Sequence, residues 1–367
     1  MPNSALFKPI HIRELKLDNR IVIAPMCQYS AVDGCMTDWH SIHLGNLALS
    51  GAGLLTIEAT AVVPEGRITY ADVGLYDDAT ELAMARTLDT VRRWSKIPIA
   101  IQLAHAGRKA STDVPWSGGG QFPAEHLNGW QTEGPSSIAL REGYAAPSYL
   151  DRDGLVRIRN AFVKAAQRAA YLGIDAVQLH GAHGYLLHQF MSPLSNIRTD
   201  EYGGSLQNRL RFPLEVFDAV REAVPDTVVT MRISGSDWVD GGFDISQSIE
   251  LAKELEKRGC DAIHVTSGGL HPSQQITDGP NYQVPFARAI KSAVKVPVVA
   301  VGLITDAVQA EAIVGTGDAD LIAVARTILY DPRWPWHAAA ALGGQVNAPD
   351  QYLRCQPAAY GDLFRSR

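Results

Sequence analysis

The stretch "LVRIRNAFVKAAQRAAYLGIDAVQLHGAHG", residues 155–184, is a helical pattern that runs directly into a strand pattern. Leu155, Ile158, Phe162, Ala165, Ala169 and Leu172 recur at steps of three and four, one face of a helix, and Gly173 offers a C-cap. The segment "DAVQLHGAHG" (175–184) then begins apolar and ends polar. A helix that delivers an apolar strand is the unit of a parallel sheet covered on its outer side by helices.

Working outward, the unit repeats. Strand-like runs precede it at "RIVIAPM" (20–26), "GLLTIEATAV" (53–62) and "PIAIQLAHAG" (98–107). Others follow at "TVVTMRISGSD" (227–237), "DAIHVTSGG" (261–269), "VPVVAVGLI" (296–304) and "DLIAVARTIL" (320–329). Helical patterns such as "ISQSIELAKELEKRG", ending at Gly259, separate them. Eight strands with eight helices predict an α/β fold, a (β/α)8 TIM barrel; a doubly wound sheet fits eight evenly spaced units less well. One barrel domain is expected over 1–367, with three departures from the repeat. Residues 6–19 are expected to form an N-terminal hairpin closing the barrel bottom. The Gly-, Pro- and Ser-rich segment 108–150 is a long loop after strand 3, a candidate lid ordered by Trp116 and Trp130. Residues 345–367 form a C-terminal tail.

Bulk composition narrows the function. Among 367 residues, 46% are hydrophobic and 20% charged, which suits a globular protein with a large core. The net charge of −6 disfavours nucleic acid and anionic membrane as partners. Four scattered cysteines, Cys27, Cys35, Cys260 and Cys355, do not make a disulfide framework. The start "MPNSALFKPIHIRELKL" has no signal-peptide pattern, and no uncharged run would span a bilayer. A cytoplasmic location is expected.

Barrel enzymes carry their chemistry at the C-terminal strand ends. Those ends supply Pro25, Met26 and Cys27; Glu58, Ala59 and Thr60; Gln102 and His105; His180 and His183; Arg232; Ser267, Gly268 and Gly269; Gly302; and Arg326 on the last strand. Gly268, Gly269, Gly302 and Arg326 suit a phosphate site, with tight turns among glycines as the plain alternative. Gln102 and Arg232 need partners if buried: a planar heterocycle, or for Arg232 an internal salt bridge with Glu58. His180 and His183 alone leave a metal short of ligands, and no other metal motif is present. Followed at once by Tyr185, they favour a site that polarises a substrate oxygen. Lys109 raises the possibility of a Schiff-base aldolase, but no desolvating pocket or neighbouring cation is visible for it.

The chain resembles the old yellow enzyme family of FMN-dependent ene-reductases, in its smaller thermophilic-like branch. The resemblance spans nearly the whole sequence and rests on "RIVIAPMCQYS", "GAGLLTIEATAV", "IQLAHAGRKA", "HGAHGYLLHQFMSPLSNIRTDEYGGSLQNRLRF", "MRIS", "VGLIT" and "ARTILYDPRWPW". It implies noncovalent FMN, with NADPH or NADH as reductant and a small electrophilic alkene as substrate. Ala24, Pro25, Met26 and Cys27 would lie along the flavin ring, Ala59 and Gln102 at its edge, and Arg232 beside N1 and O2. Gly302, Ala325 and Arg326 would take the phosphate; the branch usually has Gly-Arg on strand 8, where this chain has Ala325 before Arg326. The resemblance further implies that His180 and His183 bind the acceptor oxygen, Tyr185 donates a proton and Tyr29 touches substrate. It places Lys109 at the surface or the flavin edge. It also implies a homodimer or homotetramer in which Arg354 reaches a neighbouring site. Iron–sulfur dienoyl reductases and amine dehydrogenases share the barrel but need a cysteine cluster and a further domain after residue 340.

Overall fold

The computed structural model describes residues 4–365. Eight parallel strands close into a barrel in chain order: β1 Ile21–Ile23, β2 Leu54–Ala61, β3 Ile99–Ala104, β4 Ala176–Gly181, β5 Val228–Ser234, β6 Ile263–Thr266, β7 Val298–Val301 and β8 Leu321–Val324. Each is followed by an outer helix: α1 Asp38–Ala48, α2 Asp78–Arg92, α3 Arg152–Tyr171, α4 Leu206–Ala223, α5 Ile245–Lys257, α6 Val284–Lys291, α7 Ala307–Gly315 and α8 Trp334–Leu342. The expected (β/α)8 barrel is the fold. Every strand residue is buried, because the helices cover the outside and the barrel interior is filled with side chains. In α3, Leu155, Ile158, Phe162, Ala165 and Ala169 are the buried face, as their spacing requires.

The expected N-terminal hairpin is present: Ile10–Ile12 pairs antiparallel with Leu15–Leu17. Ile12 and Leu17 cluster with Val22, Leu54, Ala100, Ala176, Val228, Ala262 and Leu321, residues at the starts of the barrel strands, and so cap the bottom. The same end carries a surface cleft of about 520 Å³ lined by Asp18, Arg93, Lys96, Asn347 and Arg365 among others. It lies opposite the strand ends where barrel chemistry is built.

The strand windows read from sequence all run too far at their C-terminal ends. β8 stops at Val324, so Arg326 is not on the last strand; it opens a short helix, Arg326–Tyr330. His183 lies likewise in the turn after β4, ahead of a second unforeseen helix, Leu186–Met191. After β2 and β8 the chain stays apolar or β-branched (Val62, Val63; Ala325, Thr327), so local pattern carries no sharp stop there, whereas Gly235, Ser267 and Gly302 directly after β5, β6 and β7 do mark the ends. Pairing ends where the barrel rim splays into loops.

The long segment after β3 is folded against the barrel. Trp130 Nε1 donates to Glu65 O at 2.9 Å, and Arg67 lies over its ring. Arg108, buried at the start of the segment, donates to Leu270 O at 2.9 Å. Trp116 is largely exposed, its ring edge-on to Tyr29 at 6.0 Å.

Candidate active site

The C-terminal rim brings most of the expected residues together. Strand register does much of this work. Ala59 pairs with Gln102, and Gln102 with Gln178. One layer higher, His180 pairs with Arg232, and Arg232 with His264. β2 skips one register step between Ile57 and Ala59, a bulge that takes Glu58 out of the ladder.

Glu58 does not bind Arg232. Its carboxylate accepts the Gln28 N–H at 2.8 Å and lies 3.4 Å from His40 Nε2, beneath the loop that follows β1. That loop carries Pro25, Met26, Cys27 and Tyr29, with Tyr29 in the left-handed region at φ 50°. Ala24, at its start, is buried and donates to Val324 O at 2.9 Å. Burial pushes the Cys27 thiol well above the ordinary range, helped by Asp72 and Glu58 and opposed by the Ala59 peptide. The thiol stays protonated at neutral pH.

Arg232 is 7% exposed, and its guanidinium forms no hydrogen bond or ion pair among the described residues. Burial lowers its pKa to about 10, the nearby Tyr185, Cys27 and Tyr282 opposing. A buried guanidinium without a carboxylate is costly and marks a place for an anionic or polarisable group. Gln102 donates its amide N–H to Gln178 Oε1 at 2.8 Å, which leaves its own oxygen as an acceptor. An unpaired donor on β5 and an oriented acceptor on β3, with β4 between them, fit the carbonyls and imide N–H of a flavin pyrimidine ring.

At the far side, Gly302 has φ 116°, and a Cβ there would collide with Gln283 and Tyr282. Ala325, in place of the usual glycine, adopts φ −124° and is not in the left-handed region. Arg326 is exposed and forms no hydrogen bond or ion pair among the described residues. This rim fits a phosphate: backbone free of side chains at Gly302, and a free guanidinium beyond it.

His180 and His183 face each other, Nε2 to Nδ1 at 3.4 Å, with rings nearly perpendicular. His183 Nε2 is 2.9 Å from Thr266 Oγ1, and His180 Nδ1 has no partner. Among the described residues no third His, Cys, Asp or Glu joins them in a metal-ligand group. Burial first, then Arg232, holds both imidazoles well below their ordinary pKa, so both are neutral. The Tyr185 ring stands edge-on to His180 at 5.0 Å, and burial raises its phenol well above the ordinary range.

Four residues without a motif of their own hold this turn. Lys109 Nζ donates to His183 O at 2.8 Å and Gly269 O at 2.9 Å, and lies over the Tyr185 ring. Its amine is therefore engaged by the turn and not free at the surface. Burial, and after it Arg108, lowers its pKa to about 8. Both the desolvation and the neighbouring cation that sequence did not reveal are present, but the amine is engaged by two carbonyls. Gln189 donates to Gly184 O at 2.7 Å, and His188 accepts from Gly184 N–H at 2.9 Å with Asp237 behind it. For His188 and Gln189 the only sequence signal is adjacency to "HGAHGY", which does not say what they touch, and Asp237 has none.

Arg354 is not in this site. It sits exposed on the 3₁₀ turn Asp350–Cys355, with no hydrogen bond or ion pair among the described residues. Its tail is fastened at the barrel bottom, where Asn347 and Arg365 meet Asp18.

Comparison with known proteins agrees with this geometry. Residues 5–344 match the model of the NADH:flavin oxidoreductase / NADH oxidase family. The chain is 40% identical to an NADPH dehydrogenase of Geobacillus thermodenitrificans, over 96% of this chain and 98% of that one. It is 41% identical to an NADPH dehydrogenase of Bacillus subtilis, over 95% and 98%. Morphinone reductase superposes with a TM-score of 0.78 at 29% identity, over 99% of this chain and 97% of that one. A barrel with this rim, matched along nearly its full length, belongs to the NADH:flavin oxidoreductase / NADH oxidase family, the old yellow enzyme family that the sequence resembles, and is an FMN-dependent oxidoreductase.

Proposed function

We propose that this protein is an NAD(P)H-dependent ene-reductase that reduces activated C=C bonds of α,β-unsaturated ketones and aldehydes, maleimides and nitroalkenes. One observation carries the reading. The buried, unpartnered Arg232 lies in register with His180, and His180 meets His183 and Tyr185 at the same rim.

FMN, held at this rim without a covalent link, would supply the hydride chemistry, with NADPH or NADH as its reductant. Arg232 would balance negative charge on the pyrimidine edge, and Gln102 would accept from its N–H. Ala24, Pro25, Met26, Cys27 and Ala59 would line the ring, and Gly302, Ala325 and Arg326 would hold the phosphate. His180 and His183, kept neutral, would donate to the acceptor oxygen and draw electrons from the β-carbon. Tyr185, whose raised pKa keeps its proton, would give it to the α-carbon. Tyr29, beside Trp116, would contact substrate.

Relatives named NADPH dehydrogenase support the reductant, and morphinone reductase supports a reductase on this scaffold. We further propose one catalytic domain over 1–367, a cytoplasmic location, and a homodimer or homotetramer. No helix among the described residues is long and apolar enough to cross a membrane. The exposed Arg354, on a tail fastened away from its own rim, is suited to a neighbouring chain's site.

The absorption spectrum tests the reading. The purified protein should be yellow, release FMN on denaturation, bleach anaerobically with NADPH, and regain colour with cyclohexenone or N-methylmaleimide. A protein that releases no flavin, or whose bleached form ignores every activated alkene, overturns it.

A further inference from the structure

We infer that His188 and Asp237 are positioning residues: the buried pair holds the Gly184 N–H and so sets where His183 and Tyr185 point. The inference rests on the roles proposed for those two residues. Gly184 lies between them, and the backbone is left-handed at both His183 (φ 58°) and Gly184 (φ 73°). Two consecutive left-handed residues at the end of a strand have no ladder to hold them, so the surroundings must. Lys109 holds the His183 carbonyl and Gln189 the Gly184 carbonyl. The Gly184 N–H is held by His188 Nδ1, at 2.9 Å.

An imidazole nitrogen that accepts carries no proton, so the His188 proton is on Nε2. Nε2 lies 2.9 Å from Asp237 Oδ1 in a bent contact, and neither side chain is exposed. Asp237 is fixed in turn: its Oδ2 accepts from Ser192 Oγ at 2.6 Å and from Phe243 N at 2.7 Å. The Phe243 ring stands edge-on to His188. The carboxylate thus selects the tautomer, and the tautomer provides the acceptor that the turn needs. Asp237 follows β5 and His188 follows β4, so the pair also ties the turn to the strand that carries Arg232.

Two substitutions separate this role from plain charge neutralisation. His188→Gln places an amide N–H near the Nε2 position, which still satisfies Asp237, but offers no acceptor to Gly184. His188→Asn combined with Asp237→Asn places an amide oxygen near the Nδ1 position and leaves no unpaired carboxylate. Both should retain FMN and be reduced by NADPH at nearly the wild-type rate. His188→Gln should slow flavin reoxidation by cyclohexenone by roughly 10- to 100-fold, the scale of about 1 Å of misplacement in a reacting group. It should also weaken p-hydroxybenzaldehyde, read from its spectral perturbation of the flavin. The double variant should recover most of both.

A His188→Gln enzyme that reoxidises like wild type overturns the inference, as does a double variant as slow as His188→Gln. Should His188→Gln lose FMN, the double variant decides alone: retained reoxidation supports the positioning role, and lost reoxidation overturns it. His183→Ala is the control. If it leaves reoxidation unchanged, the proposed role of His183 fails; if it slows reoxidation and His188→Gln does not, only the positioning role fails.

Discussion

Replacing Arg232 by methionine should have opposite effects on the flavin-free and flavin-bound protein. The guanidinium is buried without a carboxylate, and its pKa falls from the ordinary guanidinium range to about 10. That lowering corresponds to about 3 kcal/mol held against the charged form. The sign follows from linkage: the folded pKa lies below the unfolded one, so the cost is fully present below about pH 10 and fades above it. At pH 7, Arg232→Met should therefore stabilise the apoprotein by up to about 3 kcal/mol. An unfolding entropy of roughly 2.1 cal/mol/K per residue turns this into about 4 °C in Tm for a chain of this length. FMN binding should move the other way. A hydrogen bond to a charged group contributes about 1.5–3 kcal/mol, so the FMN Kd should rise by roughly 10- to 100-fold. Calorimetry of apoprotein, with fluorimetric FMN titration, measures both arms. An apo variant less stable than wild type, or one that binds FMN as tightly, refutes the reasoning.

Further outcomes are expected. Tyr185→Phe should leave reduction by NADPH nearly intact while slowing reoxidation by cyclohexenone, since general-acid catalysis contributes about 10²–10⁴-fold; equal slowing of both half-reactions in stopped flow rejects the proton-donor role. Cys27, whose thiol burial holds above the ordinary range, should resist iodoacetamide at pH 7, and Cys27→Ala should shift the flavin potential while turnover persists; complete loss of turnover with FMN bound points to a covalent thiol step instead. Lys109 has a folded pKa of about 8, below its unfolded value near 10.4, so its burial cost is present below pH 8 and fades as pH rises to the unfolded value. Wild type should thus gain stability relative to Lys109→Met between those pH values, and a Tm difference that stays flat with pH contradicts this. Arg354→Ala should raise the KM for the alkene with kcat less affected, and a fully active protein that sediments as a monomer removes the trans contact.

The barrel was legible in the sequence because its evidence is local. Apolar residues at helical spacing between Leu155 and Leu172, and eight apolar runs separated by such helices, are set by each segment burying one face. Gln102, His180 and Arg232 could be singled out for the same reason: polar side chains on otherwise apolar strands must have a partner. What a single dimension could not show is which partner. Glu58 was a plausible counter-ion for Arg232 until the bulge in β2 turned it toward Gln28 and His40. Lys109 looked solvated until the β4 and β6 loops closed over it, and His188, Gln189 and Asp237 carry no periodicity that distinguishes them from ordinary helix and loop residues. Segment burial acts over a few neighbouring residues and leaves a repeating pattern, whereas Lys109 and Asp237 reach the catalytic turn from strand ends far apart in the chain, and those contacts exist only once the barrel has closed.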